Sequence, residues 1–166
     1  MSFKVGEFVV HPAHGVGKIV RLEEKQFSAA PAQMYYVVVT PKSTIWVPLA
    51  MQNAIGLRGI TAKNELARYR TLLKGPASSL KPDRHQRQLE LSDRLKQGSF
   101  SAICEVVRDL TAHSWRKALG ESDTVVLRRA RDYLCQEWAA ASGLSVSEAS
   151  QEVESLLLEG RKTFAS

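Results

Sequence analysis

Two different hydrophobic patterns divide this chain. Over the first 60 residues the apolar positions fall into short β-type runs. Phe8-Val9-Val10 is the first, and a longer one runs from Gly15 to Phe27 with Val16, Lys18, Val20 and Leu22 on one side. Met34 to Thr40 (MYYVVVT) is the clearest, an unbroken series of aromatic and β-branched residues, and Thr44 to Val47 (TIWV) returns before Pro48. The connections are equally plain. Pro12 removes a ladder donor between the first two runs, while Gly15 and Gly17 permit positive φ or a close backbone approach. Pro31 interrupts Ser28 to Ala32, and Pro41-Lys42-Ser43 turns the third run into the fourth. A hairpin at the N-terminus is not stable alone, so these runs predict one small, strongly bent antiparallel sheet or SH3-like barrel.

From Thr61 the period changes to that of helices. Thr61 to Lys74 (TAKNELARYRTLLK) places Leu66, Tyr69 and Leu73 on one face, with Thr61 as its cap. Gly75 to Pro82 (GPASSLKP) is a breaker segment and marks a boundary. Four helices follow. Asp83 caps the first, which runs to about Lys96 with Leu89, Leu91 and Leu95, and Gly98 stops it. Ser99 starts the second, carrying Ile103, Val106, Val107 and Leu110. The third follows Gly120 with Leu127, Ala130, Leu134, Trp138 and Ala141, and ends at Gly143. Ser145 and Glu148 form a capping box for the last, which carries Val153, Leu156 and Leu157. The expected class is α+β: a small antiparallel β domain over residues 1–60, a connecting helix and linker over 61–82, and an all-α bundle over 83–166.

Charge changes this picture in one respect. Ten lysines and arginines face only four glutamates up to Gly75, so the whole net charge of +6 lies there. Such an excess suits nucleic acid or an acidic protein surface without choosing between them. No apolar run approaches the roughly 18 residues of a spanning helix, and no secretory h-region follows Met1. Cys104 and Cys135 sit singly in helical patterns and read as buried thiols of a cytoplasmic protein.

The chemistry-bearing residues are few. His11 and His14 lie three apart without further ligands nearby, and read as turn and strand-end histidines. The glycines of His14-Gly15-Val16-Gly17 lack the lysine and the following helix of a phosphate loop. Neither a nucleophile–base set nor a cofactor loop is visible, so an enzyme, a cofactor and a small-molecule substrate are not expected. At the entrance of the first bundle helix, Lys81, Arg84, His85 and Arg87 cluster. Cations at a helix N-terminus oppose the macrodipole, which asks for an external anion such as phosphate; a solvated polar face is the alternative.

Phe3 to Ile19 (FKVGEFVVHPAHGVGKI), with Glu105 to Leu110 (EVVRDL) in the helical half, resembles the CarD/CdnL family of bacterial RNA-polymerase-binding transcription regulators. The order and spacing of elements agree over nearly the whole chain, and the first module is also similar to one in transcription-repair coupling factors. The resemblance implies a Tudor-like barrel that grips the polymerase β subunit. It also implies a bundle that touches promoter DNA near the upstream edge of the melted region and modulates open-complex stability. The polymerase-binding positions it implies are Lys25, Gln26, Phe27 and Trp46; Phe27 and Trp46 read equally well as sheet residues. On the DNA side it implies Lys81, Arg84, His85 and Arg87. The family's wedge tryptophan, counted back from Gly98, falls on Arg84 here. Arginine can enter a narrow minor groove but does not unstack bases as an aromatic wedge does. A polymerase adaptor without significant DNA binding is therefore the alternative reading.

Overall fold

The computed structural model describes residues 2–164. Its chain divides into two compact units, Met1–Ile60 and Thr61–Ser166.

The first unit is a five-stranded antiparallel sheet formed by β1 (Phe8–His11), β2 (Gly15–Lys25), β3 (Gln33–Val39), β4 (Thr44–Pro48) and β5 (Arg58–Gly59). The order across the sheet is β4-β3-β2-β1-β5. The expected α+β class, with a small Tudor-like antiparallel β domain ahead of helices, is what the chain adopts; the sheet itself is open. Strand β2 is its spine, pairing with β1 through its first residues and with β3 through its later ones. A register shift between Ile19 and Arg21 bends it. The buried cluster is Val9, Ile19, Tyr36, Val38, Val47 and Leu57. Along the first part of β2 the inward side is Gly15, Gly17 and Ile19, while Lys18, Val20 and Leu22 are exposed. Gly17 is there because a Cβ would stand 2.5 Å from Cγ1 of Val38. Beyond β4 a short 3-10 helix (Leu49–Met51) and the single turn α1 (Gln52–Ile55) lead to β5. Tyr36 ties these parts together: its hydroxyl accepts from the amide of Phe3 at 3.1 Å and donates to Oε1 of Gln52 at 2.8 Å.

The second unit is helical: α2 (Leu66–Lys74), α3 (Arg84–Lys96), α4 (Phe100–Arg116), α5 (Glu121–Ser142) and α6 (Val146–Phe164). The helix read as a connector belongs to this unit. Its Leu66, Tyr69 and Leu73 are buried in the same cluster as Leu110, Leu134 and Trp138, and Tyr69 meets Phe100 edge-on at 4.8 Å. It starts five residues later than the sequence suggests, because Thr61 is not its cap. The amide and hydroxyl of Thr61 both donate to Oε2 of the buried Glu137, at 3.0 and 2.8 Å. The helix ends expected at Asp83, Ser99, Gly143 and Ser145 are all realised. Asp83 accepts from the amide of Gln86, Ser99 from that of Ala102, and Gly143 takes the left-handed conformation at φ 78°. Ser145 and Glu148 exchange reciprocal bonds at 3.1 and 3.0 Å, which hold the Glu148 carboxyl below its usual pKa.

Candidate functional site

On the outer side of the sheet, Arg21, Glu23 and Lys25 alternate along β2 and so share one face. Across the sheet their rungs continue through Val37 to Trp46 and through Tyr35 to Pro48. Lys25 is the centre of the group. Its Nζ lies 4.5 Å from the Trp46 ring centroid, 5.5 Å from that of Phe27, and 3.6 Å from Oε1 of Glu23. Phe27 is seated edge-on against Tyr35 at 5.3 Å. Arg21 holds the other oxygen of Glu23 at 3.0 Å. The hydrogen bond from Arg21 is the main reason the Glu23 carboxyl lies below its usual pKa; Trp46 and Lys25 act in the same direction against desolvation.

Phe27 remains 46% exposed and Trp46 37%, so neither is a core residue. Two flat rings brace one ammonium, leaving exposed aromatic surface around the Lys25–Glu23 ion pair. Gln26 is exposed beside this stack and takes no part in it. Sequence reasoning named Lys25, Phe27 and Trp46 but missed Arg21, Glu23 and Tyr35, which hold them. The alternation of charge at positions 21, 23 and 25 was the available signal.

In the helical unit, Lys81, Arg84 and His85 are exposed around the start of α3. Among the described residues Arg84 reaches no carboxylate and donates only to Oγ of Ser122, at 3.3 Å. Arg87 is different. Its guanidinium donates to the carbonyls of Lys81 and Pro82, at 3.1 and 3.0 Å, and pairs with Asp123 at 2.9 Å. Asp123 is buried in the first turn of α5 and also accepts from Gln88. The side chain of Arg87 is only 12% exposed, so it is a clamp between α3, its lead-in and α5 rather than a charge offered to an outside anion. Lys81, Arg84 and His85 therefore remain open to solvent. The rings of His11 and His14 lie 4.7 Å apart, tilted by 58°, and burial together with His14 lowers the pKa of His11. Among the described residues no group of three or more His, Cys, Asp and Glu is placed to hold a metal ion, and no helix is long and apolar enough to cross a membrane.

Comparison with known proteins gives two family matches in the same order as the two units. Residues 3–60 match the family model described as the CarD-like/TRCF RID domain, and residues 69–154 match that of the CarD C-terminal domain. The chain belongs to the CarD family. A curated relative, "Putative transcription factor YdeB" of Bacillus subtilis (strain 168), is 30% identical over 146 residues, covering 86% of this chain and 94% of its own. The CarD family is one of transcription regulators and not of enzymes. Its C-terminal match begins within α2, at Tyr69, in keeping with the packing of that helix in the second core.

Proposed function

We propose that this CarD-family protein regulates transcription by binding the β subunit of RNA polymerase through its first unit and promoter DNA through its second. The observation that carries the first half is the exposed Lys25–Phe27–Trp46 stack, on a unit matched by the RID domain model. Rigid aromatic rings around a positive charge are suited to the centre of a protein interface: they bury much area and lose little side-chain entropy. Gln26 borders that patch. In the second unit Lys81, Arg84 and His85 contact promoter DNA near the upstream edge of the bubble, with Arg87 fixing the helix that presents them. The consequence is a change in open-complex lifetime. The site of action is the cytoplasm, with the nucleoid reached through polymerase.

The test begins with the sheet unit alone. The fragment should end at Ile60 rather than after α2, because a longer one would leave Leu66, Tyr69 and Leu73 without their core. Residues 1–60 are expected to fold and to co-purify with the β subunit. A folded fragment that does not bind would overturn the assignment of the interface.

A second reading, a polymerase adaptor without significant DNA binding, draws on Arg84 standing at the family's wedge position and on Arg87 being committed to Asp123. Salt-dependent affinity for a promoter fragment separates the two. Each phosphate contact contributes a slope of about one in log K against log salt, and a flat response supports the adaptor.

A further inference from the structure

The C-terminal ends of α2, α4 and α6 meet around a cleft of about 90 Å³ that neither surface above uses. Leu73, Ala112 and Leu157 are among the apolar residues of its lining. Trp115, Arg116 and Arg161 stand at its sides, and none of the residues lining it is acidic. Gly160 lets α6 lie this close to α2: a Cβ there would stand 2.8 Å from the carbonyl oxygen of Lys74. The Arg161 guanidinium lies 4.9 Å from the Trp115 ring centroid. Arg108, also in the lining, is bonded to the buried Asp109 at 2.9 Å. Arg116 and Arg161 form no ion pair among the described residues.

Cations in the last turn of a helix interact favourably with its dipole, which accounts for basic residues at these ends. It does not account for two guanidiniums without an ion pair in the lining of one hollow, one of them over a tryptophan ring. We infer that this cleft is a docking site for an acidic linear peptide, one apolar side chain filling the hollow and flanking carboxylates meeting Arg116 and Arg161. The hollow is well above the roughly 10–15 Å³ that one water needs, which leaves room for a side-chain group. Charge complementarity selects the flanks, since the planar guanidinium matches a carboxylate with two parallel hydrogen bonds. Nucleic acid fits less well. Arg161 already covers the Trp115 ring that a base would need for stacking, and a phosphodiester carries no apolar group to fill the hollow.

The test uses the full-length protein and a panel of dye-labelled hexapeptides. Each places leucine, isoleucine, methionine or phenylalanine between aspartates; a second set has lysines in place of the aspartates. At least one acidic peptide is expected to bind, and no lysine peptide. In nitrogen–proton spectra the indole signal of Trp115 should shift, while those of Trp46 and Trp138 stay in place. Arg161→Glu and Arg116→Glu should each weaken binding about tenfold or more, as the loss of one charge-assisted contact implies. Ala112→Leu, which fills the hollow and leaves the arginines, should abolish it. Arg84→Glu should leave it unchanged, which keeps this site separate from the proposed promoter contact. The inference is overturned if no acidic peptide moves the Trp115 signal. It is equally overturned if binding survives both charge reversals, or if Arg161→Glu instead weakens binding to a 20-base-pair duplex, which would assign the cleft to DNA.

Discussion

Trp46 shows how much one residue's surroundings decide. Its sequence neighbours, Ile45 and Val47, are apolar, and TIWV reads as a core strand. In the sheet, Val47 is 2% exposed and Trp46 37%, because adjacent strand positions point to opposite faces. Trp46 therefore lies against Lys25 instead of the core. Truncating it should therefore leave the core cluster around Val47 in place. Trp46→Ala and Phe27→Ala are each expected to weaken polymerase binding by about 2 kcal/mol, the scale of an aromatic anchor at an interface centre. The thermal unfolding of the sheet unit should change little. Calorimetry and a polymerase-binding titration on the same variants check this together. Unfolded variants would return both rings to the core, and folded variants with unchanged affinity would place the interface elsewhere.

At the scale of the element, local signals were legible and distant ones were not. The ends at Asp83, Ser99, Gly143 and Ser145 depend on residues within a few positions, so the sequence carries them in full. Thr61 looked like a cap because its partner Glu137 lies 76 positions away. Arg87 looked like part of an open basic cluster because Asp123 lies 36 positions away. No local pattern marks either pairing. The inward face of β2 was hidden for another reason. Two of its three leading positions are glycines, so apolarity identified the outer side, and the shift between Ile19 and Arg21 ended the simple alternation.

The clamp at the start of α3 gives the prediction of this scale. Removing Asp123 would leave the Arg87 guanidinium and Gln88 without their acceptor in a nearly closed site. Breaking a buried ion pair from one side costs about 3–5 kcal/mol. Asp123→Ala should fall at the lower end, about 3 kcal/mol, since Arg87 keeps the carbonyls of Lys81 and Pro82. Arg84→Ala, which loses only an exposed bond to Ser122, should stay within about 0.5 kcal/mol of the parent. Chemical denaturation measures both. A neutral Asp123→Ala would mean that Arg87 is free to turn outward and rejoin the basic cluster.

For the whole molecule, the two units carry separate surfaces with separate chemistry. One is a cation braced by rings on a sheet, and the other is a set of open basic side chains at a helix entrance. A change at one should therefore leave the other's binding intact. Arg84 is the place to test this, because the resemblance puts the family's wedge tryptophan at this position and, among the described residues, Arg84 hydrogen-bonds only to Ser122. Arg84→Glu should shorten open-complex lifetime and lower the salt slope of promoter binding by about one, as the loss of a phosphate contact requires. Polymerase binding by the full-length variant, which the proposal assigns to residues 1–60, should not change. Arg84→Trp should act in the opposite direction. The position is exposed, so a large ring can be accommodated without repacking the bundle, and it can stack where base pairs are already parted. Open complexes formed with Arg84→Trp are therefore expected to outlast those with the parent protein in a competitor-challenge decay assay. If neither substitution alters that decay while polymerase binding persists, the helix entrance does not reach DNA, and the protein acts as an adaptor through its sheet alone.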